Sequence, residues 1–339
     1  MKNWLTSCTR RNNAIIFSIT AALLLLFVLL SLCLGAVSLS VSDVWEALFC
    51  RDDTALASRI LWYSRVPRLI AALLVGGCLS LAGCLVQTVT ANPLASPGIM
   101  GINAGAGFFI TLLSVLFPSL ALWQPAAAFL GAFCTALTVT LLGEAAGGSR
   151  ITLVLCGVMM TALLSALTDM LLNFHPAALS GYTDFRMGSL TGVTLNRVLP
   201  LLIPFWIIFA LCLTLSERME VLNLGTENAA HLGLNTRRTR FLLLIFVSIL
   251  CGIAVSLGGV IGFIGLIVPH ISIRLIRGGM RIRLVFTVLT GALLCCICDL
   301  LSRTLFGANE LPVGILLSLV GVPFFMGLLI RQRKGDQHA

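Results

Sequence analysis

Ionisable side chains inside long apolar runs are the residues of this sequence whose types and spacing could do chemistry. Asp299 and Arg303 are four residues apart, a spacing that places both on one face of a helix and lets them pair. A structural ion pair and a functional carboxylate fit this pattern equally well. Asp169 lies in another apolar run with no obvious partner. His270 follows Pro269, and we expect it to hydrogen-bond to backbone groups that the proline frees.

The sequence offers no catalytic or metal-binding set around these residues. It has no GxxxxGK[ST] motif, so the chain does not bind ATP through a P-loop, and it has neither an HExxH motif nor a credibly spaced Ser/His pair. Cys295, Cys296 and Cys298 cluster in one apolar run, but no histidine accompanies them, and packing explains them better than a metal site. We therefore expect no enzyme activity, no cofactor and no metal.

The composition identifies the chain as a polytopic membrane protein. Hydrophobic residues make up 58% and charged residues 10% of the chain, and the mean hydropathy is +1.05. A chain of 339 residues has room for about ten spans of roughly 20 residues each. We expect an all-α fold that forms a single transmembrane domain over residues 1–339. The net charge of +9 does not indicate nucleic-acid binding, because the arginines are scattered among loop ends.

Apolar runs and polar breaks predict where the spans lie. The expected spans are about 14–36, a second that starts after Arg65-Val-Pro-Arg68 and runs to 87, a third that ends near 117, then 125–142, 151–174, 198–215, 241–257, one within 258–279, 284–305 and 315–330. The first run is long enough to span, so we interpret it as an uncleaved helix. Residues 37–64 and the segment after 174 are expected as outer loops.

The distribution of basic residues orients these spans. Loops assigned to the inside carry more lysine and arginine than outer ones by about two to one, which predicts that both termini lie in the cytoplasm. Arg65 and Arg68 then fall at the outer end of the second span and Arg303 near the outer end of the ninth. We expect Arg65 and Arg68 to present their guanidinium groups at the outer membrane rim.

The stretch from Ser216 to Arg240 is a polar loop on the inner face. Apolar residues recur within it at roughly helical spacing, and Gly225 and Gly233 bracket its middle. The pattern predicts a short amphipathic helix lying across the loop, with a solvated loop as the equal alternative. The apolar positions are Leu222, Leu224, Ala229, Ala230 and Leu232.

Proline and glycine predict a helix break between residues 88 and 109. Asn92-Pro93 and Pro97-Gly98 interrupt the helix, and the glycines at 101, 105 and 107 suit close helix packing. Non-helical backbone at this depth must be buried in protein or line a cavity. A second break carries Pro269 and His270. The segments 76–101 and 252–278 enter from opposite sides under the predicted topology, as inverted repeats of transporters do.

Several motifs resemble those of one family. They are RVPR (65–68), LAGCLVQTVTANPLASPGIMGINAGA (81–106), LGTENAAHLGL (224–234), GFIGLIVPHISIRL (262–275), DLLSR (299–303) and ELPVGILLSLVGVPFF (310–325). Together they cover most of the chain in family order and are similar to the FecCD-type permeases of ABC importers for iron–siderophore complexes, haem and cobalamin. One departure is Arg186, which stands close to the position before Gly188-Ser189-Leu190 where the family often has an aromatic residue.

The resemblance implies a ten-helix permease of the type II ABC importer class. It would pair about a two-fold axis with an identical or paralogous permease, and the transport pathway would lie at that interface. Two cytoplasmic ATPase subunits would dock on the inner loop of about 216–240, which would act as the coupling helix. A substrate-binding protein would dock on the extracytoplasmic face.

The resemblance also assigns roles to individual residues. The coupling residues that match the motif are Leu224, Gly225, Thr226, Glu227, Ala230, Leu232, Gly233 and Leu234. Arg65, Arg68 and Arg303 match positions where family members receive acidic residues of the binding protein, with interfacial anchoring as the alternative. The breaks at Asn92, Pro93, Pro97, Pro269 and His270 would be structural elements of the pathway.

The expected function is therefore passage of a ferric siderophore or related metal chelate across the cytoplasmic (inner) membrane, powered by a separate ATPase. Import of haem or cobalamin by a permease of the same family is the alternative. A second alternative, from a different class of transporter, is a secondary transporter driven by an ion gradient. It would carry ionisable residues at mid-membrane, where this chain has few beyond Asp169 and Asp299.

Overall fold

The computed structural model describes residues 2–35, 37–49, 55–147, 149–305 and 310–336. Within these ranges the chain is helical and contains no strand, which confirms the all-α expectation. Seven helices in the described part are long and apolar enough to cross a membrane. Three shorter apolar helices accompany them, at Ile102–Leu116, Ile264–Leu275 and Val313–Phe324.

The helices follow one another through short connections. They are α1 (Lys2–Cys33), α2 (Val41–Phe49), α3 (Leu56–Ile60), α4 (Val66–Thr90), α5 (Ile102–Leu116), α6 (Gln124–Ala145), α7 (Arg150–Phe174), α8 (Leu179–Met187), α9 (Leu195–Thr214), α10 (Ser216–Asn223), α11 (Thr226–His231), α12 (Thr236–Gly258), α13 (Ile264–Leu275), α14 (Met280–Thr304) and α15 (Val313–Asp336). A π-helical turn, Leu61–Arg65, joins α3 to α4, and 3-10 turns lie at Pro97–Met100, Pro118–Trp123 and Pro176–Ala178.

Helix α4 lies at the centre of the bundle. It packs against α12, α13 and α14, and 89% of the residues in its most apolar window are buried. The corresponding shares are 72% for α12 and 61% for α14, but only 17% for α1 and 22% for α9. A helix that is apolar all round suits either a protein interior or lipid. The burial therefore separates the inner helices α4, α12 and α14 from outer helices such as α1 and α9.

The second span begins earlier than its sequence indicates. We expected it to start after Arg65-Val-Pro-Arg68, but the helical segment already begins at Leu56. Pro67 has no N–H to donate to the preceding turn, and its ring crowds that turn. The π-helical turn at Leu61–Arg65 lies directly before it and relieves this conflict by widening the helix. The proline therefore stands in the first turn of α4 without ending the helical segment.

The outer connections contain helices where the sequence predicted loops. Helix α2 begins with a capping box, in which the Ser40 N–H donates to Asp43 Oδ2 at 3.0 Å and the Asp43 N–H donates to Ser40 Oγ at 3.1 Å. Helix α8 occupies the second outer connection. Residues 50–54 of the first outer loop lie outside the described ranges.

The predicted break after α4 is confirmed. Ala91 ends the helix with a positive φ of 41°, and Asn92 Oδ1 then accepts a hydrogen bond from the Leu94 N–H at 2.9 Å. Close packing follows in α5, because a Cβ on Gly105 would lie 2.0 Å from Thr135 Oγ1 of α6. This confirms the small-residue packing that the sequence predicted at Gly105.

Candidate functional site

Three arginines that the sequence assigned to the outer face are buried in the structure. Arg65 is 4%, Arg68 7% and Arg303 5% exposed. The expectation that Arg65 and Arg68 present their guanidinium groups at the membrane rim is therefore wrong. A buried cation needs a counter-charge or hydrogen-bond acceptors, and all three arginines have them within the chain.

Arg68 joins α4 to α14 and to the segment before α15. Its Nε donates to Asp299 Oδ1 at 2.8 Å, and its Nη1 donates to Glu310 Oε2 at 2.7 Å. Glu310 Oε2 also accepts a hydrogen bond from Thr191 Oγ1 at 3.1 Å, which brings in the connection between α8 and α9. Residues from four parts of the chain are therefore linked through Arg68 and Glu310.

Arg303 completes this group. Its Nε lies 3.6 Å from Asp299 Oδ2, an ion pair that is too long for a hydrogen bond, and its Nη2 donates to the Ser31 carbonyl at 2.9 Å. The i, i+4 pairing predicted for Asp299 and Arg303 is thus confirmed. We call Arg68, Asp299, Arg303 and Glu310 the outer ion cluster, after the side of the membrane to which the predicted topology assigns them.

Arg65 lies beside the cluster and bonds only to backbone. It donates to the carbonyl oxygens of Leu32 and Val37, which follow the end of α1 and its connection to α2. The guanidinium of Arg65 therefore donates hydrogen bonds at the C-terminal end of α1, where the carbonyl groups of the helix have no helical partner.

Glu310 is the most accessible member of the outer ion cluster, because its side chain is 33% exposed. Partial burial raises the pKa of this carboxyl. The hydrogen bond from Arg68 and the positive charge of that residue lower the pKa by more, so the net pKa lies below the ordinary value. Glu310 is therefore ionised over the whole neutral range and holds Arg68 from the outer side.

The inner loop folds into two short helices instead of the single one that the sequence predicted. Helices α10 and α11 meet at Gly225, which has a φ of +102°, and α11 ends at His231, two residues before Gly233, which has a φ of +80°. The Leu234 N–H donates to the Ala229 carbonyl at 3.0 Å, as expected where a left-handed residue ends a helix. The glycines at 225 and 233 thus set both boundaries of α11.

Apolar residues of the inner loop divide into buried and exposed sets. Met219, Leu222 and Ala229 are at most 1% exposed, whereas Leu224 is 59% and Leu232 65% exposed. Ala230 is also exposed, and Leu234 is half-buried. The side chains of Thr226 and Glu227 lie outside the described part of the structure.

Two contacts fix the inner loop to the rest of the bundle. Glu220 of α10 accepts a hydrogen bond from the Met280 N–H at the start of α14. Arg237 of α12 donates to Glu144 Oε2 of α6 at 2.7 Å. The exposed leucines therefore lie on a scaffold that is tied to α6 and α14.

The second predicted break, at Pro269 and His270, is wrong, because α13 runs from Ile264 to Leu275 with Pro269 inside the helix. The first break lies close to this helix. A cavity of about 270 Å³ is lined by Asn92 and Pro93 from the first break and by Pro269 of α13, together with Gln87 and Arg283. Asn92 and Pro93 themselves are exposed in the chain. Pro97 is buried and lines a separate cavity of about 250 Å³. The expectation of non-helical backbone lining a cavity therefore holds for the first break only, and the expected burial holds only for Pro97.

His270 does not make the hydrogen bond that we predicted for it. Its Nε2 is buried without a partner, and no hydrogen bond from this residue occurs within the described ranges. The sequence therefore misjudged both the helix break at this position and the role of the imidazole. Asp169 is exposed on α7 and forms no ion pair with any described residue.

Apart from Asp299 as the partner of Arg303, the partners of the three arginines were missed by the sequence reasoning. Glu310 stands in the motif ELPVG, but its pairing with Arg68 spans 242 residues and leaves no local periodic signal. Ser31 accepts a hydrogen bond from Arg303 through its carbonyl, and the Thr191 hydroxyl donates one to Glu310; neither residue carries a signal in the sequence.

Comparisons with known proteins agree with this architecture. The model of the FecCD transport family matches residues 23–331. The chain is 38% identical over 316 residues to the ferric enterobactin transport system permease protein FepD of Escherichia coli (strain K12), covering 92% of this chain and 94% of that protein. It is 36% identical over 325 residues to the hemin transport system permease protein HmuU of Yersinia pestis, covering 92% and 95%.

A solved structure of a metal-chelate type ABC transporter in an inward-facing conformation has the same fold. The TM-score is 0.82 at 29% sequence identity, with 93% of this chain and 99% of that chain covered. Both the sequence relatives and the solved structure are transport components rather than enzymes. The chain therefore belongs to the FecCD transport family of ABC permease subunits.

Proposed function

We propose that this chain is the permease through which an ABC importer moves a ferric siderophore or related metal chelate across the cytoplasmic membrane. The names of its relatives support the cargo class, since they describe transport of ferric enterobactin and hemin. A partner ATPase supplies the energy, because the chain has no P-loop of its own.

The proposed architecture has ten membrane crossings and both termini in the cytoplasm. The seven long apolar helices and the three shorter ones account for the ten crossings. The excess of basic residues in the loops between them supports the orientation. Two such permeases pair, with two ATPase subunits on the inner side and a binding protein on the outer side.

The exposed leucines of the inner loop are the observation that best supports coupling to an ATPase. Leu224 and Leu232 flank α11 and are 59% and 65% exposed, although the loop is otherwise polar. An ATPase subunit that covers them removes apolar surface from water. Movement of that subunit then passes through Glu220 and Arg237 to α14 and α6.

Docking of a binding protein on the outer face remains part of the proposal, with a changed mechanism. Arg65, Arg68 and Arg303 already have partners inside the chain, so they are not unpaired cations that a docking protein could bind directly. Direct pairing of Arg68 with an acidic residue of the binding protein requires exchange of Glu310 for the incoming carboxylate. Glu310 suits such an exchange, because it is the accessible member of the outer ion cluster.

Replacing Leu224 and Leu232 together by aspartate tests the coupling proposal. Burial of a leucine contributes about 1.5–3 kcal/mol, so the double variant should lower recovery of the ATPase with the purified permease by tenfold or more. Uptake of a ferric chelate should fall in parallel, while the amount of permease in the membrane stays the same. Leu275→Asp, an equally apolar change at the inner end of α13, is the control. Normal ATPase recovery and uptake in the double variant would exclude this segment as the coupling site.

A further inference from the structure

A cavity of about 790 Å³ opens between α8 and α15. Thr183 and Arg186 of α8 form one wall, Ile315, Ser318 and Leu319 of α15 form another, and Val260 of the turn between α12 and α13 closes it. The walls are mostly apolar. A cavity of this size accommodates a small-molecule ligand of several hundred cubic ångströms.

Arg186 is the only charged residue among the described residues that line this cavity. Its side chain is exposed and makes no hydrogen bond or ion pair within the described part of the chain. The nearest acidic residue in the sequence is Asp184, but residues two apart on a helix face different directions, and Asp184 does not line the cavity. Arg186 thus differs from Arg65, Arg68 and Arg303, which are all bonded internally.

The backbone around Arg186 is held in one position. The carbonyl of Phe185 accepts a hydrogen bond from the Val260 N–H at 3.0 Å, and the carbonyl of Gly188 accepts one from the Gly314 N–H at 3.0 Å. These bonds flank Arg186 on both sides and attach the end of α8 to the turn before α13 and to the start of α15.

Glycine is required at this junction. A Cβ on Gly188, whose φ is +69°, would lie 2.3 Å from the Val260 carbonyl oxygen, and a Cβ on Gly314 would lie 2.6 Å from the Met187 carbonyl oxygen. Only glycine permits backbones to approach so closely. The α-carbon of Arg186 is therefore fixed at the cavity wall, and its long side chain can swing within the cavity.

We infer that Arg186 makes this permease selective for metal chelates that carry a net negative charge. The inference rests on the proposed function and specifies its cargo. A guanidinium donates paired hydrogen bonds to carboxylate or catecholate oxygens, and its attraction to an anion is stronger beside apolar walls than in water. A neutral chelate of the same size gains nothing from this charge. The rest of the wall is mostly apolar and does not distinguish an anionic chelate from a neutral one.

The test compares two ferric probes of similar size in cells that carry the complete transporter. One probe is a trianionic ferric tris(catecholate), and the other is a neutral ferric tris(hydroxamate), both labelled with radioactive iron. Arg186→Gln should reduce the initial uptake rate of the anionic probe by about tenfold and leave uptake of the neutral probe within about twofold. Arg186→Glu should reduce anionic uptake further, and Arg186→Lys should retain most of it.

Arg197→Gln is the matched control, because Arg197 is an exposed arginine near the start of α9 that does not line the cavity. It should leave uptake of both probes unchanged, and the amount of each variant in the membrane is measured by immunoblot. Three results would overturn the charge selection: an equal effect of Arg186→Gln on both probes, no effect on either probe, or import of the neutral probe alone by the wild type. Each of these would leave the proposed function standing. Failure of the wild type to import any ferric chelate would instead overturn the proposed function together with this inference.

Discussion

Replacing Asp299 by asparagine measures how much the outer ion cluster stabilises the bundle. Asp299 is 1% exposed and lies 2.8 Å from Arg68 Nε and 3.6 Å from Arg303 Nε. At an effective dielectric constant of about 20, each attraction amounts to about 4–6 kcal/mol, most of which offsets the cost of removing the charges from water. Removing one partner of such a group takes a counter-charge away from the buried cations and costs about 3–5 kcal/mol. Asparagine keeps the shape and one acceptor oxygen, so we expect a loss of about 3 kcal/mol.

The assay is equilibrium unfolding of the purified permease in mixed detergent micelles, with increasing SDS, followed by far-UV circular dichroism. Asp169→Asn is the matched control, because Asp169 is also a carboxylate in a long apolar helix but is exposed and forms no ion pair with a described residue. It should change the free energy of unfolding by less than about 0.5 kcal/mol.

A double variant, Arg68→Gln with Asp299→Asn, measures the interaction energy between the two residues separately from the effect of each single change. The free energy of unfolding that the double variant loses should be smaller than the sum of the losses in the two single variants by about 1.5–3 kcal/mol. The reason is that the second change removes a charge that the first has already deprived of a partner. If Asp299→Asn destabilised the protein no more than Asp169→Asn, or if the single effects were additive, the cluster would not stabilise the fold as argued here.

Two further predictions concern the outer face. Gly188→Ala should lower the free energy of unfolding by about 3 kcal/mol, whereas Gly192→Ala should cost only about 1 kcal/mol. Both glycines have a positive φ, but only a Cβ on Gly188 would collide with the Val260 carbonyl, so equal effects would contradict the close contact. Glu310 has a pKa below its ordinary value of 4.5, so the stability from its pairing with Arg68 is present above that pH and is lost as the pH falls through the folded pKa. The difference in Tm between the wild type and Glu310→Gln should therefore be present at neutral pH and shrink as the pH is lowered below 4.5, and a difference that did not shrink would refute the ionic origin.

Local sequence patterns predicted those features that local physics determines. Asn92-Pro93 and Pro97-Gly98 cannot continue a helix, and α4 ends at Thr90 as this requires. The spacing of Asp299 and Arg303 predicted their pairing because only one turn of helix separates them. The inner loop between Ser216 and Arg240 was also recognised as partly helical.

Features that depend on distant partners could not be predicted in the same way. The burial of Arg68 depends on Glu310, 242 residues away, and no periodic pattern links the two. Helix α2 is a different case, because its signal was present and was missed: Ser40 and Asp43 form a capping box that is visible in the sequence. His270 shows the opposite error, since Pro269 stands inside α13 without breaking the helix and the imidazole Nε2 has no hydrogen-bond partner.

The central position of α4 has a consequence for how the chain is made. Helix α4 is synthesised early, whereas the carboxylates that pair with Arg68 follow 231 and 242 residues later. Until α14 enters the membrane, Arg68 has no counter-charge, and a helix destined for the interior stands against lipid. An unpaired arginine costs about 2.5–3.5 kcal/mol at the centre of a membrane helix and less in the first turn, where Arg68 lies and can extend toward the interface. The arrival of Asp299 removes this cost, so we expect α4 to take its place in the interior only once α14 has been made.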